Sequence, residues 1–311
     1  GAAAPLQAQS IDHMRKLLQE IQQEIDCLEK EQAETLKPQK EPQPVESTEY
    51  VDGVIAVDTL PSGNDAVMIV LFNDNTWKYL RNRDYVKDSE IYTRCWDTTK
   101  LFPYRAVVKL ADLPRSVDIE LVDSLKCYHY PYKAAIRSKF GMRRRRKHQG
   151  VDLPLKTGDP IYATFNGKVR ISIPSSKSGG YGNLIVIRHD NGLETFYGHL
   201  SERIVHADEW VEAGQIIGYG GSTGRSTGPH LHFETRYCGQ SFDPERLIDF
   251  QSGNLRRETF LLKKSYLDIH SSASQDFEDE EAEANDEKRA EEARKALASA
   301  QYHRIRSGDT L

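Results

Sequence analysis

No apolar run in this 311-residue chain approaches the roughly 20 residues that cross a bilayer, so no transmembrane segment is expected. Cysteine is scarce: Cys27, Cys95, Cys127 and Cys238 form no CxxC pair, which argues against a cysteine zinc site or a thioredoxin-like motif. The chain opens GAAAPLQAQS without a methionine, as expected of a trimmed start from which any signal peptide is already gone. No single sign of charge dominates, because 42 Lys and Arg stand against 47 Asp and Glu. The contrasts are local: residues 143–147 read RRRRK, while 276–292 hold ten acids and two bases. The basic run lacks the interleaved aromatics of a nucleic-acid platform, so it reads as a solvated or substrate-facing rim, with no nucleic-acid partner.

What is present suggests about two domains with some extended polar sequence: 38% hydrophobic residues, 29% charged residues and a mean hydropathy of -0.64. Ile11, Met14, Leu18, Ile21, Ile25 and Leu28 recur at spacings of three and four. That pattern predicts an amphipathic helix within 1–36, docked on its own protein or self-associating or binding a protein partner through 11–28. Three prolines in KPQKEPQP then predict a linker over 37–48. VIAVDTL, AVMIVLF and TWKYL, the last two flanking Asn73, Asp74 and Asn75, predict short strands with a hairpin, and IYTRCW (91–96) another strand. Together they suggest a small SH3-like β-barrel over 49–123. A β-rich, Gly- and His-dense domain is expected over 124–250, a charged spacer over 251–301, and a new unit starting at 302–311.

The chemistry concentrates in the β-rich domain. In PHLHFE, His230 and His232 alternate with Leu231 and Phe233, the period of a strand, so both imidazoles point to one face. In KHQGVDL, Gly150 and the following LPLKTGDP argue against a helix, and a turn entering a strand brings His148 and Asp152 together. Two imidazoles and one carboxylate suit a catalytic zinc ion, which takes three protein ligands and leaves a position for water or substrate. His148, Asp152 and one histidine of the HxH pair supply that count. The other histidine, with His199 of FYGHL, would stand nearby to carry protons or stabilise an oxyanion.

HQGVD, YGHLS and STGRSTGPHLHFE, in this order, closely resemble the M23 peptidoglycan metallopeptidases of the lysostaphin and LytM type. The resemblance covers 124–250 and implies a mainly β fold, an antiparallel sheet whose groove is walled by loops. By position it implies His148, Asp152 and His232 as ligands of one zinc ion per chain, and His199 and His230 as the catalytic pair. YHRIRSGDTL resembles the opening of a LysM module, which binds the same polymer. The expected activity is therefore zinc-dependent endopeptidase action on peptidoglycan stems or crosslinks, in the periplasm or cell envelope of an exported protein. Because some family members act as adaptors that regulate other wall hydrolases, a gated or non-catalytic role is the alternative expectation, with the region before residue 124 as a candidate autoinhibitor.

Overall fold

The computed structural model describes residues 45–47, 53–82, 90–122, 127–144 and 146–275, all within one compact unit spanning 43–282. The expected amphipathic helix, most of the linker, the acidic run and the 302–311 stub lie outside the described residues.

Strands β1 (Ala56–Pro61), β2 (Val67–Phe72) and β3 (Trp77–Arg81) form an antiparallel meander near the three expected segments. The β2–β3 turn follows from its sequence: Asn75 takes a left-handed φ of 64° and the Asp74 carboxylate accepts from the Thr76 amide at 3.0 Å. Among the described residues no further strand closes this sheet into the expected barrel. Strands this short, with β1 exposed throughout and Val70 alone fully buried in β2, have too little inward apolar surface to fill one.

The expected strand over 91–96 is instead a short helix, α1 (Glu90–Thr93), and a turn. Its carbonyls are claimed from below. Arg188 donates to the carbonyls of Ile91, Arg94 and Cys95, and Arg170 to those of Asp97, Lys100 and Leu101. Tyr92 and Trp96 then meet on one side of the turn, with Tyr92 against Trp210. Next comes β4 (Ser116–Glu120).

The remaining strands are β5 (Gly141–Arg143), β6 (Arg146–His148), β7 (Val151–Pro154), β8 (Pro160–Tyr162), β9 (Gly167–Ile173), β10 (Asn183–His189) and β11 (Leu193–Leu200). After them run β12 (Glu202–Arg203), β13 (Trp210–Val211), β14 (Ile216–Tyr219), β15 (His230–Tyr237), β16 (Gln240–Phe242), β17 (Ile248–Asp249), β18 (Asn254–Leu255) and β19 (Thr259–Lys263). Seven of these build the principal sheet, ordered β13-β9-β10-β11-β15-β16, with β7 pairing the first half of β15. Every pairing is antiparallel, in keeping with the expected mainly β fold.

The domain limits differ from expectation at both ends. β19 pairs β4, and Val45 bridges Leu255, so sequence before 124 and after 250 completes the same core. Leu255, Phe260, Leu262 and Tyr266, within the expected spacer, are fully buried. Such side chains contribute about 1.5–3 kcal/mol each on burial, which explains why an otherwise charged segment folds here.

Each face of the principal sheet has its own role. Ile185, Ile187, Tyr197, Leu231 and Phe233 fill the main core on one side. On the other, Leu184, Val186, Phe196 and Ile171 pack under Leu101 and Phe102. A register shift in β9 opposite Val186/Ile187 leaves Arg170 as an extra residue on this second face, where it joins Arg188 on the Glu194 carboxylate.

Candidate metal centre

The second face carries the polar groups in cross-strand rows. Arg188, Glu194 and Arg236 are neighbours across β10, β11 and β15; Val186, Phe196 and Glu234 form the next row. Gly198, His232 and Asp152 complete another across β11, β15 and β7. This last row holds the centre.

Three donor atoms, one each from His148, Asp152 and His232, lie within 4.8 Å of one another. His148 Nε2 is 3.0 Å and His232 Nδ1 2.9 Å from Asp152 Oδ1. Tetrahedral ligands at zinc distances of 2.0–2.1 Å stand about 3.3 Å apart, so a small outward shift would admit an ion. The outer edges of both imidazoles are committed. His148 Nδ1 donates to the Lys139 carbonyl at 2.6 Å, and His232 Nε2 donates to Glu234 Oε1 at 2.9 Å. Since a carbonyl only accepts, the bond to Lys139 puts a proton on His148 Nδ1 and turns Nε2 inward, toward Asp152. Glu234 is itself held by Arg236 Nε at 2.7 Å and the Tyr181 hydroxyl at 2.8 Å. Carboxylate and carbonyl partners of this kind fix ring orientation and raise donor basicity.

The electrostatics follow from that packing. Burial opposes protonation of His232, but Asp152 and Glu234 outweigh it and hold the imidazole up to about 9. Burial likewise opposes ionisation of Asp152, and the hydrogen bonds from His148 and His232 overcome it, keeping the carboxyl well below its ordinary range. For Glu234, burial is outweighed by Arg236 and His232, which hold it down to about 2.

The remaining two candidates flank this trio. His230 shares the face of His232, as strand alternation predicts, with Nε2 3.6 Å from Asp152 Oδ1 and Nδ1 donating to the Gly228 carbonyl at 2.8 Å. His199 arrives by a different route. Regular alternation in β11 would send it to the core beside Tyr197, but the β10–β11 register slips between Asn183 and Ile185 and His199 takes a φ of 62°. The bulge turns its ring back, 4.6 Å from that of His230 and 5.9 Å from that of His232. Its Nδ1 donates to the Thr223 carbonyl at 2.7 Å, leaving Nε2 as an acceptor. Burial lowers its pKa to about 4, so it is neutral near pH 7.

Two glycines make room. A Cβ on Gly150, in the turn between β6 and β7, would stand 2.2 Å from the Phe233 carbonyl; one on Gly198 would stand 3.2 Å from the Tyr181 carbonyl and 3.5 Å from His232 Cβ. Thus all five histidine and aspartate candidates converge. Sequence reading assigned no role to Glu234 or Tyr181; the signal for Glu234 was its place in the same alternation, HLHFE, two residues beyond His232.

Residues 146–244 match Peptidase family M23. Lipoprotein NlpD of Yersinia enterocolitica is 43% identical over 97 residues, covering 31% of this chain and 97% of that protein. DD-carboxypeptidase/endopeptidase Mpg of Neisseria meningitidis serogroup B is 44% identical over 115 residues, covering 35% of this chain but 26% of that protein, so the chain spans about a quarter of that relative's length. Among solved structures, the catalytic domain of lysostaphin from Staphylococcus simulans aligns at 35% identity over 38% of this chain and 86% of that one, with a TM-score of 0.30. An antiparallel sheet presenting a His/Asp/His donor set is thus found within the matched segment. The chain belongs to peptidase family M23.

Proposed function

We propose that this chain is a zinc-dependent endopeptidase that hydrolyses peptide bonds in peptidoglycan stems or crosslinks, with one zinc ion held by His148, Asp152 and His232. The observation that carries this reading is the convergence of those three donors within 4.8 Å, each imidazole's outer nitrogen already bonded. A relative named as a DD-carboxypeptidase/endopeptidase supports the reaction class. Such a protein would work in the periplasm or cell envelope, and the 302–311 stretch would begin a LysM module binding the same polymer.

A zinc ion so held supplies Lewis acidity, making a hydroxide nucleophile available near neutral pH and polarising a carbonyl. The chain's own residues do the rest. Lys139 and Glu234 keep the two imidazoles turned with their donor atoms inward. His199, neutral and with Nδ1 anchored, offers Nε2 to accept a proton from the attacking water or hydrogen-bond to it. His230, anchored in the same way on Gly228, offers a second Nε2, 3.6 Å from Asp152 Oδ1, to return a proton to the leaving amine or face the developing oxyanion.

The test is incubation of the zinc-loaded chain with a purified crosslinked muropeptide dimer. Monomers carrying a new amine end support the reading; an intact dimer at stoichiometric zinc favours an adaptor.

A further inference from the structure

The hairpin that ends in His148 is built against its own stability. β5 and β6 pair Gly141 with His148, Met142 with Lys147 and Arg143 with Arg146, and Arg144 follows β5 at the tip. Like charges directly opposite one another destabilise a sheet pair, and Arg143 faces Arg146. Arg144 adopts a φ of 45°, in the left-handed region where glycine or asparagine is the easier choice. Arg144, Arg146 and Lys147 are exposed, and among the described residues no carboxylate pairs with them. Conflicts of this kind concentrate where a sequence serves a ligand rather than the fold.

Strand alternation puts Arg143, Arg146 and His148 on one face of the hairpin and Met142 and Lys147 on the other. The contacts agree: Arg143 Nη2 lies 2.8 Å from His148 Nδ1 and donates to the same Lys139 carbonyl at 2.8 Å. Arg143 is thereby committed to the His148 support. Arg146 is not, and it sits two residues, about 7 Å, from His148 on the same side. A bound group at Arg146 and Arg144 would therefore lie within a few peptide units of the metal centre.

We propose that Arg146, with Arg144 at the tip, binds a free carboxylate of the peptide substrate and so selects acidic peptides for this site. The inference rests on the peptidase reading for its substrate class. The bound carboxylate would also neutralise the Arg143–Arg146 repulsion.

Isothermal titration of the zinc-loaded full chain with an acidic stem tetrapeptide, and with the same peptide amidated at its carboxylates, measures binding without requiring cleavage. The acidic form should bind about tenfold more tightly. Arg146→Glu should abolish that preference while raising the melting temperature, because the cross-strand repulsion becomes an attraction. Lys147→Glu, an equal change of net charge on the other face, should leave the preference in place. Equal affinity for both peptides, no binding of either, or an equal loss in the two variants overturns the proposal. Failure of the peptidase reading is separate: it appears as no hydrolysis of a crosslinked dimer, whichever peptide binds.

Discussion

His232 and Asp152 stand directly opposite each other on β15 and β7, with Nδ1 2.9 Å from Oδ1. The register of one strand pair therefore sets the geometry of the centre, since a slip of one residue would send either side chain to the core face. Asp152→Ala or His232→Ala should each abolish stoichiometric zinc binding, measured by metal analysis after gel filtration, and lose hydrolysis with it.

Removing His199, the proposed proton carrier, should have a different signature. His199→Ala should retain one zinc per chain yet hydrolyse a muropeptide dimer about 10²–10⁴-fold more slowly. Hydrolysis at the wild-type rate would remove His199 from the mechanism.

Glu234 works behind His232. Glu234→Gln should weaken zinc affinity by about 10–100-fold, read by competition with a chromogenic chelator. It should also lower stability by about 3 kcal/mol, because Arg236 is buried and loses its charged partner. Wild-type zinc affinity in a folded variant would contradict a positioning role.

Much of this centre was legible in the sequence. HLHFE shows its strand period openly, and Gly150 with the following LPLKTGDP marks the turn that joins His148 to Asp152. What was hidden depends on long-range partners. The orientation of His199 arises from a bulge defined against β10, and the helical turn at 90–93 from buried arginines nearly a hundred residues away. The folding of 254–275 was masked by its charged neighbours, because its buried Leu255, Phe260 and Leu262 only find their place against β4 and Val45.

Those arginines bear on the region before 124 as an autoinhibitor. Deleting residues 1–110 would strip Arg170 and Arg188 of six carbonyl acceptors. Both guanidiniums keep the Glu194 carboxylate, but hydrogen bonds to a charged group contribute about 1.5–3 kcal/mol each, so losing six is comparable with the whole stability of a domain at about 5–15 kcal/mol. The truncated chain should show no cooperative thermal transition; a folded and faster enzyme would instead establish inhibition.

Acid should destabilise the fold through His189. Burial lowers its pKa to about 4, and its ring is held by the Asn166 carbonyl and the Thr195 hydroxyl. Above 6.5 neither state binds the proton and the contribution is complete. As pH falls from 6.5 towards 4 the unfolded chain protonates first, so stability drops by about 3 kcal/mol. His189→Gln should flatten that limb in melting curves recorded from pH 7 to 4.

The most direct test of a zinc peptidase is digestion of peptidoglycan sacculi by the full chain, with chelator and then with zinc restored, and mass spectrometry of the released fragments. The account predicts new amine ends within stems or crosslinks, abolished by the chelator and recovered with zinc. Release that persists through chelation, or none from protein holding one zinc per chain, would contradict it.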